Sequence, residues 1–276
     1  MPAATDNLKT PSLPSVPRAL EVLERIAASQ NGLSLTQLTR TLGHPRSTLH
    51  CLLLTLERAG YVRRASARGR YQCGSKLLEL SGKVLAGSSL REIATPVLRS
   101  LLQKTRLTVH MAVLERNQVT IIAQLAPAGI RLTTMLGQRL EVHSTALGKA
   151  IAAHLDDAKV AELLSARTLP AHNERTIVSP RRFSSELADT RRRGYAIDDE
   201  EDTIGIRCLA APVLSGPRNP PIAISLMGTT AEIADTNAAS LAFELMDAAS
   251  AIADLLRSDR EESQDEPQPA AAKAPC

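Results

Sequence analysis

Arg46, Ser47, Thr48 and His50 stand directly behind the turn Gly43-His44-Pro45. A guanidinium, two hydroxyls and an imidazole at helical spacing can hydrogen-bond base edges and phosphate oxygens. The hydroxyls also fall where a helix starts, and the free backbone N–H groups there favour phosphate. Arg46 and His50 are expected to probe bases or phosphates, although His50 reads equally well as a plain surface histidine. Thr36, at the start of the preceding helix, is placed to touch the DNA backbone. Arg63, Arg64, Arg68 and Arg70 follow on a short hairpin, where their chemistry is sequence-independent attraction to phosphate through counterion release.

A second set lies far down the chain. Asp198-Asp199-Glu200-Glu201-Asp202 is an acidic run, and most of its members are expected on a solvated loop. One could face inward and accept a hydrogen bond from a ligand hydroxyl or amide. Ser225 sits in AISLMG, a strand otherwise suited to the core, so its hydroxyl needs a partner, either backbone or ligand. Met227, two residues on, faces the same side. In HSTALGKA, Ser144 or Thr145 can cap a helix and leave the N–H groups of Ala146 and Leu147 directed at a cavity, as suits a carboxylate. Leu132, Leu140 and Ile206 supply apolar walls. The expected ligand is a small organic acid with a short carbon skeleton or an aromatic ring. Gly148 and Ala150 read as close-packing residues, and both readings of this segment can hold together.

Catalytic and cofactor motifs do not appear. His110, His143, His154 and His172 lack metal-ligand spacing, Gly148-Lys149 lacks the frame of a phosphate loop, and there is no GxSxG elbow. No cofactor and no metal are expected. The alternative is a small-molecule-metabolising enzyme fused to a DNA-binding head. A purely architectural DNA-binding protein would not need the second domain.

The elements that must position these groups follow from periodicity. Leu20, Leu23, Ile26 and Ala27 predict a helix from Pro17, which Asn31-Gly32 ends. Ser34 caps a second helix that stops at Gly43. A third runs from Pro45 to Arg58, with Leu49, Leu52, Leu53 and Leu56 inward and Arg46, Ser47, His50 and Cys51 outward. Tyr61–Arg64 and Arg70–Gln72 form a hairpin, or wing, with the arginines lining its surface. Residues 75–104 are helical, interrupted at Gly87-Ser88-Ser89, and apolar enough to connect domains and form a dimer. Beyond Thr105 come the strands Thr108–Leu114, Gln118–Gln124, Arg131–Met135, Ile206–Leu214 and Pro221–Met227. Helices are expected at 144–155, 158–165, 180–193 and 236–257. The second domain therefore reads as α+β.

Charge agrees with this division. Residues 1–75 carry ten Lys and Arg against four acids, a charge of +6, leaving −2 for the rest of a chain of net charge +4. A basic head on a mildly acidic body suits double-stranded DNA and a separate task. The chain has no Trp, two Phe and three Tyr, which disfavours base-stacking binders of single strands or RNA. Its four Cys are scattered, so neither a disulfide framework nor a zinc site is implied. No signal peptide or apolar run of membrane-spanning length is present. A cytoplasmic protein that does not enter membranes is expected.

Several patches carry a resemblance: PRALEVLERIA; LSLTQLTRTLGHPRSTLHCLLLTLERAGYV with RGRYQCGSKLLEL; HSTALGKAIAAHL; and RRRGYAIDDEEDTIGIRCLAAPVL followed by PIAISLMG. In these the chain resembles the IclR family of bacterial transcriptional regulators over nearly all of residues 16–257. The resemblance implies a winged helix-turn-helix at 16–75, linker helices for dimerisation at 76–104 and a GAF-like effector-binding domain at 105–258. Flanking segments 1–15 and 259–276 are expected to be disordered. It also implies dimers or tetramers, favours repressor over activator, singles out Asp198 from the acidic run and moves Cys208 to a pocket wall. One departure stands out. Cys51 occupies a position where the family often has a basic residue, so an operator sequence does not carry over.

Overall fold

The Ser34 hydroxyl accepts a hydrogen bond from the backbone N–H of Gln37, and the Gln37 side chain accepts one from the Ser34 N–H at 2.9 Å. This reciprocal cap starts α2 (Leu35–Leu42), and Gly43 ends it at φ 67°, a conformation that costs a residue with a Cβ. The computed structural model describes residues 13–65, 69–86, 89–130, 134–165, 169–216 and 219–265. The chain divides into two units, Met1–Ser88 and Ser89–Cys276.

In the first unit, α1 (Ser15–Ala27), α2 and α3 (Arg46–Arg58) enclose Val22, Ile26, Leu38, Leu49, Leu53 and Leu56. Leu52, expected inward with these, is only half-buried at the rim of that core. A small antiparallel sheet of β1 (Leu33–Ser34), β2 (Val62–Ala65) and β3 (Arg70–Cys73) adds Val62 and Tyr71 to it, in the order β1-β3-β2. The short β1 was not expected from periodicity. Its two residues pair with Tyr71 and Arg70, which ties the hairpin to the start of α2. α4 (Ser75–Ala86) follows, with Leu78 and Leu80 exposed.

The second unit is built on a six-stranded antiparallel sheet. Its strands are β4 (Thr108–Glu115), β5 (Gln118–Leu125), β6 (Arg139–Leu140), β7 (Ala196–Asp199), β8 (Ile206–Val213) and β9 (Ile222–Thr229), in the order β6-β5-β4-β9-β8-β7. The β4–β5 turn places Arg116 and Asn117 at φ 48° and 67°, the sense that matches strand twist in a tight hairpin. One face of the sheet is covered by α5 (Ser89–Thr105) and α9 (Ala238–Asp265) through Leu98, Leu101, Leu245 and Ile252. The other is covered by α6 (Ala146–Ala152), α7 (Asp157–Ser165) and α8 (Pro180–Arg193) through Leu147, Ile151, Phe183 and Leu187.

Several expectations change here. Ala94, Leu98 and Leu101 of the anticipated connector are buried in the second unit's own core, so its apolar character is largely used there. The helix expected to end at 257 continues to Asp265, carrying residues 259–265 with it. Of the strand expected at Arg131–Met135, residues 131–133 lie outside the described residues, and Thr134 and Met135 are not in a strand. Residues 1–12 and 266–276, most of the expected disordered ends, also lie outside the described residues.

Candidate functional site

Two surfaces gather the candidate residues. On the head, Pro45 directs the chain into α3, and His44 Nε2 lies 2.8 Å from Glu21 Oε2 on α1, pinning the turn. Arg46, Ser47, His50 and Cys51 are all exposed on the outer face of α3, while Thr48 is half-buried. Thr36 is exposed on the first turn of α2. The outward face of the helix therefore presents the set that its spacing predicted.

Arg63, Arg64 and Arg70 do not share one face of the hairpin. Arg64 pairs in register with Tyr71, whereas Arg63 pairs with Gln72 and Arg70 with Ala65. Side chains alternate along a strand, so Arg63 and Arg70 share one face and Arg64 takes the other. Arg64 Nη2 donates to the Tyr71 hydroxyl at 2.8 Å, with the guanidinium 5.3 Å from the ring centroid. That hydrogen bond raises the Arg64 pKa further. Arg68 lies outside the described residues.

The second unit encloses a cavity of about 410 Å³ between the sheet and α6. Cross-strand register builds its floor. Asp198, Cys208 and Met227 stand side by side on β7, β8 and β9, and Ser225 stands beside His110 in the neighbouring row. Leu140, Ile206 and the first residues of α6, Ala146 and Leu147, complete the anticipated lining. Leu132 lies outside the described residues. Thr145, with Oγ1 accepting from the Gly148 N–H at 3.2 Å, caps α6. The close-packing reading of Gly148 holds, since a Cβ there would fall 2.3 Å from the Val142 carbonyl oxygen.

The acidic run corrects the expectation of a solvated loop, because each member has a partner. Asp198 is buried and its Oδ1 accepts from the Glu201 N–H at 2.8 Å. Asp199 binds Arg207 at 2.7 Å, Glu200 binds Arg175 at 3.0 Å, and Asp202 lies 3.8 Å from His172. Glu201 is buried against Lys149, an α6 side chain only 1% exposed, which also donates to the Ile197 carbonyl at 2.6 Å. Lys149 thus ties β7, which carries Asp198, and the loop after it to the helix that forms the opposite wall. A cation in a helix reads as solvent-facing, so the burial of Lys149 leaves no local mark along the chain.

Burial dominates the electrostatics. It pushes the Asp198 carboxyl up to about 7, with the Glu201 N–H and Lys149 opposing and the Glu201 and Asp202 charges adding. It pushes the Cys208 thiol well up, so that Cys208 stays neutral. It lowers His110 to about 4, which leaves the imidazole uncharged. His110, Thr134, Gln138, Asp202, Thr203 and Ile204 also line the cavity and were not anticipated. The alternation of β4 does place His110 on the face opposite Met111, a signal that could have found it. Among the described residues no group of three or more His, Cys, Asp and Glu is arranged to hold a metal.

A three-helix head with an exposed basic recognition helix, in one chain with an α+β unit enclosing a ligand-sized cavity, defines a DNA-binding transcriptional regulator. The chain belongs to the IclR family. The model of the IclR helix-turn-helix domain matches residues 15–66, and that of the bacterial transcriptional regulator IclR C-terminal domain matches residues 82–254. The chain is 36% identical over 237 residues to the transcriptional repressor IclR of Escherichia coli (strain K12), covering 85% of this chain and 86% of that one. The crystal structure of Thermotoga maritima IclR aligns at a TM-score of 0.72 and 27% identity, over 88% of this chain and 98% of that one. An IclR homologue from Microbacterium hydrocarbonoxydans, complexed with 4-hydroxybenzoate, shares the fold at a TM-score of 0.75 and 24% identity, over 88% of this chain and 99% of that one. No helix among the described residues is long and apolar enough to cross a membrane.

Proposed function

We propose that the protein is a ligand-responsive repressor that binds its operator as a dimer or tetramer and senses a small organic acid. The carrying observation is the cavity, where polar groups from β4, β7, β9 and α6 converge within otherwise apolar walls. Its volume of about 410 Å³ suits a ligand of that size. The Escherichia coli relative is a repressor, which favours that sign of regulation. The ligand of the homologue from Microbacterium hydrocarbonoxydans, 4-hydroxybenzoate, is itself a small organic acid.

Thr36, Arg46, Ser47, Thr48 and His50 meet the major groove and its flanking phosphates, and Arg63, Arg68 and Arg70 add phosphate contacts. Arg64 acts mainly by bracing the wing through Tyr71. Leu140, Ala146, Leu147, Asp198, Ile206, Cys208, Ser225 and Met227 contact the effector, with Leu132 from the adjoining segment. The backbone N–H groups of Ala146 and Leu147 face its carboxylate. Residues 76–104 couple cavity and head, and by linkage an effector that weakens operator binding is itself bound less tightly by the DNA complex.

The test is a mobility-shift assay on the protein's own promoter fragment, with and without small aliphatic and aromatic acids chosen by a thermal-shift screen. A ligand at 100 times its Kd stabilises the protein by about 2.7 kcal/mol. Selective binding to that fragment, relieved by a stabilising acid, is expected. Binding no tighter than to random DNA would reject autoregulation, and a screen in which only neutral compounds stabilise would reject the acid.

A further inference from the structure

His110 is a cavity-wall histidine that is 3% exposed, and its neighbours define which ring nitrogen carries the proton. The Gln124 amide nitrogen donates to the Thr134 carbonyl oxygen at 3.2 Å, so this end of Gln124 is a donor. The same nitrogen donates to Thr134 Oγ1 and lies 3.1 Å from His110 Nε2; an amide nitrogen cannot accept, so this contact is favourable only with Nε2 as an acceptor. Thr134 Oγ1 lies 2.9 Å from that same Nε2. A neutral imidazole that accepts at Nε2 carries its proton on Nδ1. Among the described residues, Nδ1–H has no partner in the protein.

Gln124 reaches this position through a β-bulge. Met111 pairs with Ala123 but Ala112 pairs with Ile121, so one residue of β5 is skipped and Gln124 lands on the cavity side beside His110. The far side of the same sheet floor carries the carboxyl group of Asp198, with Asp202 in the loop after β7, and no Lys or Arg lines the cavity among the described residues.

We infer that His110 is a specificity-determining ligand contact, whose Nδ1–H donates to a neutral oxygen of the effector, a hydroxyl or carbonyl, and disfavours a second carboxylate. This rests on the proposed organic-acid reading. The site rewards an acceptor through one buried donor but supplies no positive charge, so a second carboxylate loses its hydration without an ion-pair partner. An effector with one carboxylate and a distal neutral oxygen satisfies both ends.

The experiment is calorimetric titration of the full chain with two matched sets: benzoate, 4-hydroxybenzoate and terephthalate; and butanoate, 4-hydroxybutanoate and succinate. The expected result is that the hydroxy acid of at least one set binds about tenfold more tightly than its parent acid, as one buried hydrogen bond implies, and the diacid more weakly. In His110→Phe the ratio of parent to hydroxy-acid Kd falls to about one, and His110→Asn, which keeps a donor near Nδ1, restores part of it. The His110→Asn variant also serves where His110→Phe fails to fold. A diacid that binds as tightly as the hydroxy acid, or a preference that survives in His110→Phe, overturns this inference and leaves the acid reading standing. If none of the six binds, the acid reading falls and this inference with it.

Discussion

Lys149 Nζ, on α6, forms a buried ion pair with Glu201, in the loop that follows β7. It brings two walls of the cavity together across 52 residues of chain. Glu201 Oε2 has no further partner among the described residues, so the carboxylate depends on this one cation.

Lys149→Met removes the cation and leaves Glu201 buried and unpaired. The expected loss of stability is about 3–5 kcal/mol, the range for breaking one side of a buried pair. Lys149→Met with Glu201→Leu should recover much of it. Urea denaturation of the three proteins measures the difference. Equal stability of Lys149→Met and the natural protein would show that the pair is not buried in solution.

Asp198 titrates at about 7 in the folded protein against an ordinary 3.8. The folded state therefore holds this proton more tightly than the unfolded chain does. The associated stability is complete below pH 3.8 and is lost as pH rises through about 7. Asp198→Asn should flatten the decline in thermal midpoint between about pH 4 and 7, where the folded carboxyl keeps the proton that the unfolded one has lost. Ionised Asp198 also repels an anionic ligand, so the Kd of benzoate should rise as pH passes through about 7 in the natural protein only. An unchanged slope in Asp198→Asn would assign the titration elsewhere.

His110 has the opposite sign. Its folded value of about 4 lies below the ordinary 6.5, so its contribution is present above pH 6.5 and is lost as pH falls through about 4. Complete loss corresponds to about 3 kcal/mol, at about 1.36 kcal/mol per unit. His110→Phe should flatten the acid limb of the stability profile, measured by denaturation from neutral pH down to about 4.

The wing arginines should separate by face. Arg63→Ala with Arg70→Ala is expected to reduce the slope of log K against log salt by about 0.9 for each phosphate left unneutralised. Arg64→Ala should change that slope less and lower the thermal midpoint of the head instead, since its guanidinium is held on Tyr71. Fluorescence anisotropy on operator DNA from low to high salt distinguishes them. An Arg64→Ala slope reduced as much as those of the other two would return Arg64 to the phosphate set.

Arg46→Ala should cost about 1–3 kcal/mol on the operator and much less on random DNA, the signature of a bidentate base contact. Equal losses on both would make Arg46 a phosphate clamp. Competition binding with the two DNAs reads the difference directly.

Much of this molecule was legible along the chain, because its signals are local. The apolar stripe of α3 leaves Arg46, Ser47 and His50 outward whatever else the chain does. The alternation of β9 placed Ser225 and Met227 on one face, and the cavity lies there. Even Arg64 is separable from Arg63 by the period of two along the wing.

Three decisions belong to tertiary structure alone. The bulge that turns Gln124 toward His110 depends on how β5 registers against β4, and nothing within either strand encodes it locally. The burial of Lys149 and Glu201 depends on α6 and the β7–β8 loop meeting, so an acidic run that reads as solvated becomes a wall element. The proton states of His110 and Asp198 follow from desolvation, a property of everything packed around them and of no residue by itself.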